Sequence, residues 1–291
     1  MGSRTRPCPA CRGERAGPLF EKAGWAVVEC STCRTAYTER LPTEEELSRH
    51  YSLDYFKGNR EKFGYVDYAA EEPFNLETFA PKARRLEERH PEGGRILDVG
   101  CATGGFLGLM SERWDRRGVE LSAELVAASP PPPGVKVWVG RFEEYPPEGG
   151  LFDVVTLWDT LDHVKDPAGT LAKARALLKP GGTLAINLGD RSALFARVLG
   201  RRWHLYIPPT HLTYFNRGSL TALLREKGFA VQEVRYEGKW VPLSLCFFRL
   251  SYIIEWGIVK ALYRWSARSW FGRLKFYVNL RDVVTIYARA V

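Results

Sequence analysis

Between residues 95 and 236, apolar positions fall in short runs of strand length, separated by stretches with helical spacing. The runs at 95–99, 117–120, 135–139, 152–157, 183–187 and 229–236 predict six strands, and 281–290 predicts a last one. Helices are expected at 76–89, 106–114, 122–128, 167–179 and 219–227. Pro130 to Pro133 end the third of these, and Pro167 takes a first helical position, where its missing N–H costs nothing. Unbroken apolar strands alternating with helices imply an α/β fold whose parallel sheet is covered on both faces.

Before this core the texture differs. Cys8, Cys11, Cys30 and Cys33 form two Cys-x2-Cys pairs. Each pair makes a tight turn that presents two thiolates, and the two turns together complete a tetrahedral sulfur shell suited to zinc. Four protein ligands leave no open position, so the metal is expected to be structural. Residues 1–40 then form a zinc-ribbon module, with a strand over 25–29. Residues 41–75, rich in tyrosine and phenylalanine, form a connector that wraps the core, and Thr43 with Glu46 reads as a capping box. Residues 76–291 form the main domain.

Charge adds a second asymmetry. The chain of 291 residues carries 42 Lys and Arg against 34 Asp and Glu. From Arg191 to the end there are 17 basic and 5 acidic residues, so the excess lies in the last third. Within it, 240–278 is an insert before the last strand. Leu243, Phe247, Leu250, Ile254, Ile258, Ala261 and Trp265 recur at helical spacing, interleaved with Arg and Lys. Such a basic, Trp-bearing helix suits an anionic lipid interface, so peripheral membrane contact through 240–275 is expected beside the alternative of a helical cap or dimer contact. No apolar run reaches the roughly 20 residues of a spanning helix. No secretory signal is visible, so a cytoplasmic setting with reduced thiols is expected, at most peripheral to the inner membrane face.

The candidate chemistry follows the first strand. Gly100, Cys101, Ala102, Thr103, Gly104 and Gly105 make a turn that opens a helix, and glycine lets backbone approach a ligand closely. Ligands of such sheets sit outside the carboxyl ends of the strands. Asp98 ends the first strand and Glu120 the second, where a carboxylate can accept both hydroxyls of a ribose. Ala102 stands where a dinucleotide fingerprint needs glycine, which disfavours a dinucleotide.

The segment 95–107, Glu120, the run 152–155, Leu161 to Pro167 and Leu178 to Gly182 together resemble class I S-adenosylmethionine-dependent methyltransferases over roughly 76–236 plus the terminal strand. The resemblance implies a seven-stranded, mostly parallel Rossmann-like sheet with helices on both faces and an antiparallel last strand. The front half resembles members with an N-terminal zinc ribbon, such as sugar C-methyltransferases and enzymes of surface-polysaccharide or lipid pathways. By position, Asp98, Gly100, Cys101, Ala102 and Gly104 would line the methionine part. Glu120 would bind the ribose, the loop with Phe142 and Glu143 would flank the adenine, Leu121 would also contact the cofactor, and Asp159 would close the site near the sulfonium. Asp162 stands where glutamate is usual.

Methyl transfer is an in-line displacement that rewards positioning, and a base is needed only for an alcohol or a carbon acid. His211, His163 and His204 lie in loops after strands on the cofactor edge and are the candidate bases. The expected function is methyl transfer from S-adenosylmethionine to a small-molecule, sugar or lipid-linked acceptor. The alternatives are an RNA methyltransferase, less favoured because the knuckles are poor in basic residues, and a non-catalytic cofactor-binding scaffold.

Overall fold

The computed structural model describes residues 6–46, 68–146, 149–253 and 257–291. Most of the aromatic connector, and Ile254 to Trp256 of the insert, lie outside the described residues.

The N-terminal ribbon contributes β1 (Ala16–Lys22), β2 (Trp25–Cys30) and β3 (Ala36–Thr38), which form an antiparallel sheet. The capping box is present: Thr43 N–H donates to Glu46 Oε2 at 2.8 Å and Glu46 N–H to Thr43 Oγ1 at 3.2 Å. Helix α1 spans Tyr68–Arg89, beginning earlier than expected. There follow β4 (Gly94–Val99), α2 (Gly105–Gly108), β5 (Trp114–Glu120), α3 (Ala123–Ala128), β6 (Val135–Val139), β7 (Phe152–Trp158), α4 (Pro167–Leu177) and β8 (Leu178–Gly189). After α5 (Leu194–Leu199) come β9 (Thr213–Tyr214), α6 (Arg217–Glu226), β10 (Phe229–Tyr236) and, past the insert, β13 (Val283–Ala290).

The main sheet has seven strands in the order β10-β13-β8-β7-β4-β5-β6, with β13 antiparallel to both neighbours. Successive side chains of a strand point to opposite faces. Accordingly Leu97, Val155, Leu184 and Ile186 pack with Leu171, Leu177 and Leu220 from α4 and α6, whereas Ile96, Val154, Ala185 and Tyr287 pack with Ala83, Leu86 and Phe106 from α1 and α2. Both faces are apolar because both are covered, as the unbroken runs require.

Two expected elements are corrected. The helix over 106–114 is a single turn ending at Gly108. A Cβ there would meet Pro132 Cγ at 2.9 Å, and Trp114, 4% exposed, is the buried first residue of β5. The insert is not one amphipathic helix. A hairpin of β11 (Lys239–Pro242) and β12 (Lys275–Val278) encloses α7 (Leu243–Ile253) and α8 (Gly257–Arg268). Trp240 N–H donates to Thr78 Oγ1 at 3.0 Å and Lys275 pairs with Glu77 at 2.6 Å, which docks the hairpin on α1. Part of the apolar stripe meets solvent: Ile258 is 66% and Trp265 55% exposed.

Candidate active site

The carboxyl edge of the sheet gathers the polar residues. Asp98 ends β4 almost fully buried, and Thr156 Oγ1 donates to it at 2.6 Å. Burial pushes this carboxyl up to about 7; the Thr156 hydrogen bond opposes the rise and the charge of Glu120 adds to it. Glu120, at the end of β5, accepts from Ala102 N–H and Ser122 N–H, both at 2.9 Å. Burial raises it too, against those bonds. Neither acid has an ion-pair partner among the described residues.

The turn between them is left-handed at three points, Gly100 (φ 75°), Ala102 (φ 49°) and Gly104 (φ 76°). At Gly100 a Cβ would sit 2.7 Å from Thr160 Oγ1, so close approach as well as φ demands glycine. Gly100 N–H donates to Val119 O at 2.8 Å, tying the turn to the end of β5. Cys101 turns its thiol inward, where a Cβ on Gly118 would meet it at 2.4 Å. Leu121 is exposed beside the crevice. Phe142 is buried with Lys173 above its ring, and Glu143 is exposed on the same turn.

β7 delivers the far wall. Asp159 (φ 49°), half-exposed, pairs with Lys239 Nζ of β11 at 2.8 Å. Burial pulls its carboxyl up, but Lys239 prevails and the net shift is downward. Thr160 Oγ1 lies 2.9 Å from the carbonyls of Val99 and Trp158, fixing this segment against the glycine turn.

Two residues on, Asp162 and His163 meet His211. The imidazole rings of His163 and His211 lie 4.5 Å apart. Asp162 Oδ2 is 3.4 Å from His211 Nδ1 and Oδ1 is 3.8 Å from His163 Nε2. Burial holds His163 down to about 4 and His211 well below its usual range, and lifts Asp162 to about 8 with help from the charge of Asp159. Leu212 N–H donates to Asp162 O at 2.8 Å, which locks the two loops together. His204 sits elsewhere: its Nδ1 is 3.7 Å from Asp282 Oδ2, which accepts from Trp203 Nε1 at 2.7 Å.

The four ribbon cysteines converge. Their Sγ atoms lie within 4.8 Å of one another, with Cys8–Cys33 and Cys11–Cys30 at 3.5 Å. A tetrahedron with zinc–sulfur bonds of about 2.3 Å has edges of roughly 3.8 Å, so the donor set fits zinc. The knuckles repeat one backbone design. Arg12 N–H donates to Cys8 O at 2.9 Å and Arg34 N–H to Cys30 O at 3.0 Å, with Arg12 and Arg34 both left-handed. The ribbon is fused to the active-site wall, because β3 pairs with β9 and Thr38 N–H donates to Leu212 O at 3.1 Å. Asn216 Nδ2 donates to Cys33 O at 2.9 Å, and Arg191 pairs with Glu29 at 2.6 Å. The loop bearing His211 therefore ends on the four-cysteine module.

Thr156, Thr160 and Lys239 were not apparent in the sequence, since each acts through a contact between distant segments. Only the polar Thr156, inside an otherwise apolar run, offered a signal.

Residues 71–234 match the family model described as a methyltransferase domain. The chain belongs to this methyltransferase family. It is a class I S-adenosylmethionine-dependent methyltransferase in fold and motif. It is 36% identical over 167 residues to a ubiquinone biosynthesis O-methyltransferase of Xanthomonas axonopodis, covering 52% of this chain and 67% of that protein. The protein of the same name from Marinobacter nauticus is 33% identical over 162 residues, covering 49% and 66%. The chain thus spans about two thirds of the length of the curated relatives it matches. The magnesium protoporphyrin IX methyltransferase of Synechocystis, solved with bound S-adenosylhomocysteine, superposes with a TM-score of 0.54 at 13% identity, covering 86% of this chain and all of that one, a likeness of fold. No helix among the described residues is long and apolar enough to cross a membrane.

Proposed function

We propose that this methyltransferase alkylates a hydroxyl of a lipid-linked or otherwise amphipathic acceptor at a membrane surface. The observation that carries the reading is the close His163–His211 pair, its rings 4.5 Å apart beside Asp162 and just beyond the Asp159–Thr160 segment of the crevice. S-adenosylmethionine supplies an activated methyl group bound to a cationic sulfur. Asp98 and Glu120, two buried acids without counter-ions among the described residues, fit the ammonium of its methionine part and the ribose hydroxyls respectively. The glycine turn brings backbone to the methionine part, and Asp159 closes the crevice from the other side.

The rest is positioning, which can lower a barrier by up to roughly 7–11 kcal/mol. As the acceptor oxygen bonds to the methyl carbon and the carbon–sulfur bond breaks, an imidazole held neutral by burial takes the hydroxyl proton. The names of the relatives favour oxygen as the acceptor atom and a lipid-tailed substrate. The exposed aromatic face of the insert supports the same class, because its hairpin reaches the crevice through Lys239. The zinc ribbon holds the His211 loop and takes no part in transfer.

The test is transfer of labelled methyl from S-adenosylmethionine to total lipid extract, nucleotide sugars and RNA. Label in a base-stable lipid ether is the expected result, and label confined to RNA overturns the acceptor assignment. Glu120→Ala should weaken S-adenosylmethionine about tenfold or more by calorimetry, the cost of losing a charged hydrogen-bond acceptor.

A further inference from the structure

We propose that Asp162, His163 and His211 bind a divalent transition-metal ion beside the acceptor, separate from the ribbon cysteines. The inference rests on the reading of this cluster as the acceptor side of the active site and refines what becomes of the acceptor's proton.

One carboxylate and two imidazoles present ligand atoms that all lie within 4.8 Å of one another. Metal bonds of about 2.0–2.2 Å place neighbouring ligands roughly 3 Å apart, so closing the cluster needs shifts of about an ångström or less per side chain. The His–Asp separations of 3.4 and 3.8 Å exceed a good N–H···O hydrogen bond of about 2.9 Å, so the cluster is loose as a proton relay. Asp162 is 5% exposed, and its Oδ1 has no hydrogen-bond partner among the described residues. A buried carboxylate oxygen left bare in this way is costly, and a cation relieves it. Thr210 Oγ1 and the Tyr214 hydroxyl, on the loop that carries His211, are likewise buried without partners and can accept or orient a water on such an ion.

Two imidazoles with one carboxylate favour zinc, cobalt, manganese or iron over calcium or magnesium. Three protein ligands leave open positions, unlike the closed four-sulfur shell of the ribbon. An acceptor hydroxyl entering an open position would have its pKa lowered and would release its proton to water. Its oxygen would then bond to the methyl carbon as the carbon–sulfur bond breaks, leaving neutral S-adenosylhomocysteine. The histidines would act as ligands and the solvent as proton acceptor.

The experiment counts metal on the full chain. Co2+ is titrated into protein carrying one equivalent of zinc per chain, enough for the four ribbon thiolates alone, followed by calorimetry, elemental analysis and visible absorption. The wild type should take one further ion per chain, with weak ligand-field bands and no thiolate charge-transfer band. Asp162→Asn and His211→Ala should lose that ion while keeping ribbon zinc and S-adenosylmethionine affinity; His163→Gln serves if either fails to fold. A wild type that takes up no second ion at millimolar Co2+, or takes it up only with thiolate charge transfer, overturns the proposal. Loss of cofactor binding with the second ion retained would sink the transferase reading alone.

Discussion

In the proposed site, the Asp98 carboxyl couples the fold to the cationic ligand. Its pKa is lifted from 3.8 to about 7, so between these values the folded protein holds a proton that the unfolded chain releases. Stability without ligand therefore falls as pH rises through that window. A cationic ligand prefers the ionised acid, so affinity for S-adenosylmethionine should increase between about pH 6 and pH 8. Calorimetry across that range should show the rise, and Asp98→Asn should abolish it while lowering affinity about tenfold. An unchanged pH profile in the variant would assign the effect to another group. At this scale the sequence was informative wherever a residue type announces its own task. The glycines, the acids at strand ends and the paired cysteines do so. Lys239 and Thr156 matter only through what folding sets beside them, and a one-dimensional pattern carries no record of that.

Among elements, the β3–β9 pairing has the widest effect. It makes a two-residue strand, invisible to periodicity, the joint between ribbon and catalytic wall. The alternation of strands and helices was legible because burial on both faces leaves unbroken apolar runs. The failures have physical causes as well. Helix α2 stops after one turn because Gly108 packs under Pro132, and the insert's spacing did not reveal a break into two helices. Arg191 clamps the joint, donating to Glu29 at 2.6 Å and to the Tyr206 hydroxyl at 3.1 Å. Arg191→Ala should cost about 2 kcal/mol through the lost charged hydrogen bonds to Glu29 and Tyr206, Glu29 keeping its pairing with Arg34 at 2.9 Å, and should loosen the His211 loop. Acceptor KM should rise several-fold with S-adenosylmethionine affinity nearly unchanged. Equal losses in both would mean that the ribbon supports the whole domain.

For the whole molecule, the proposed membrane contact falls to the insert. Trp265, Phe271 and Trp270 (67% exposed) stack in a row on the surface, and Ile258 and Phe276 of the same insert are exposed as well. Aromatic rings on a basic surface suit the headgroup boundary of an anionic bilayer. The full chain should sediment with phosphatidylglycerol vesicles at low salt and much less with phosphatidylcholine or in high salt. Trp265→Ser with Trp270→Ser should reduce binding at least tenfold and leave transfer to a soluble acceptor intact. A double variant that binds as well as wild type would reassign the face to protein contacts.

The position of β13 between β10 and β8 has a consequence for assembly. During synthesis every other strand, the ribbon and the aromatic insert are made before this one, yet β10 has no neighbour in the main sheet until it arrives. The last strand of the sheet to be translated is thus a keystone laid from inside. Until it is seated, β10 lacks its sheet neighbour and β8 keeps an unpaired edge, so the floor of the crevice is finished only when the most distant strand along the chain slides between them.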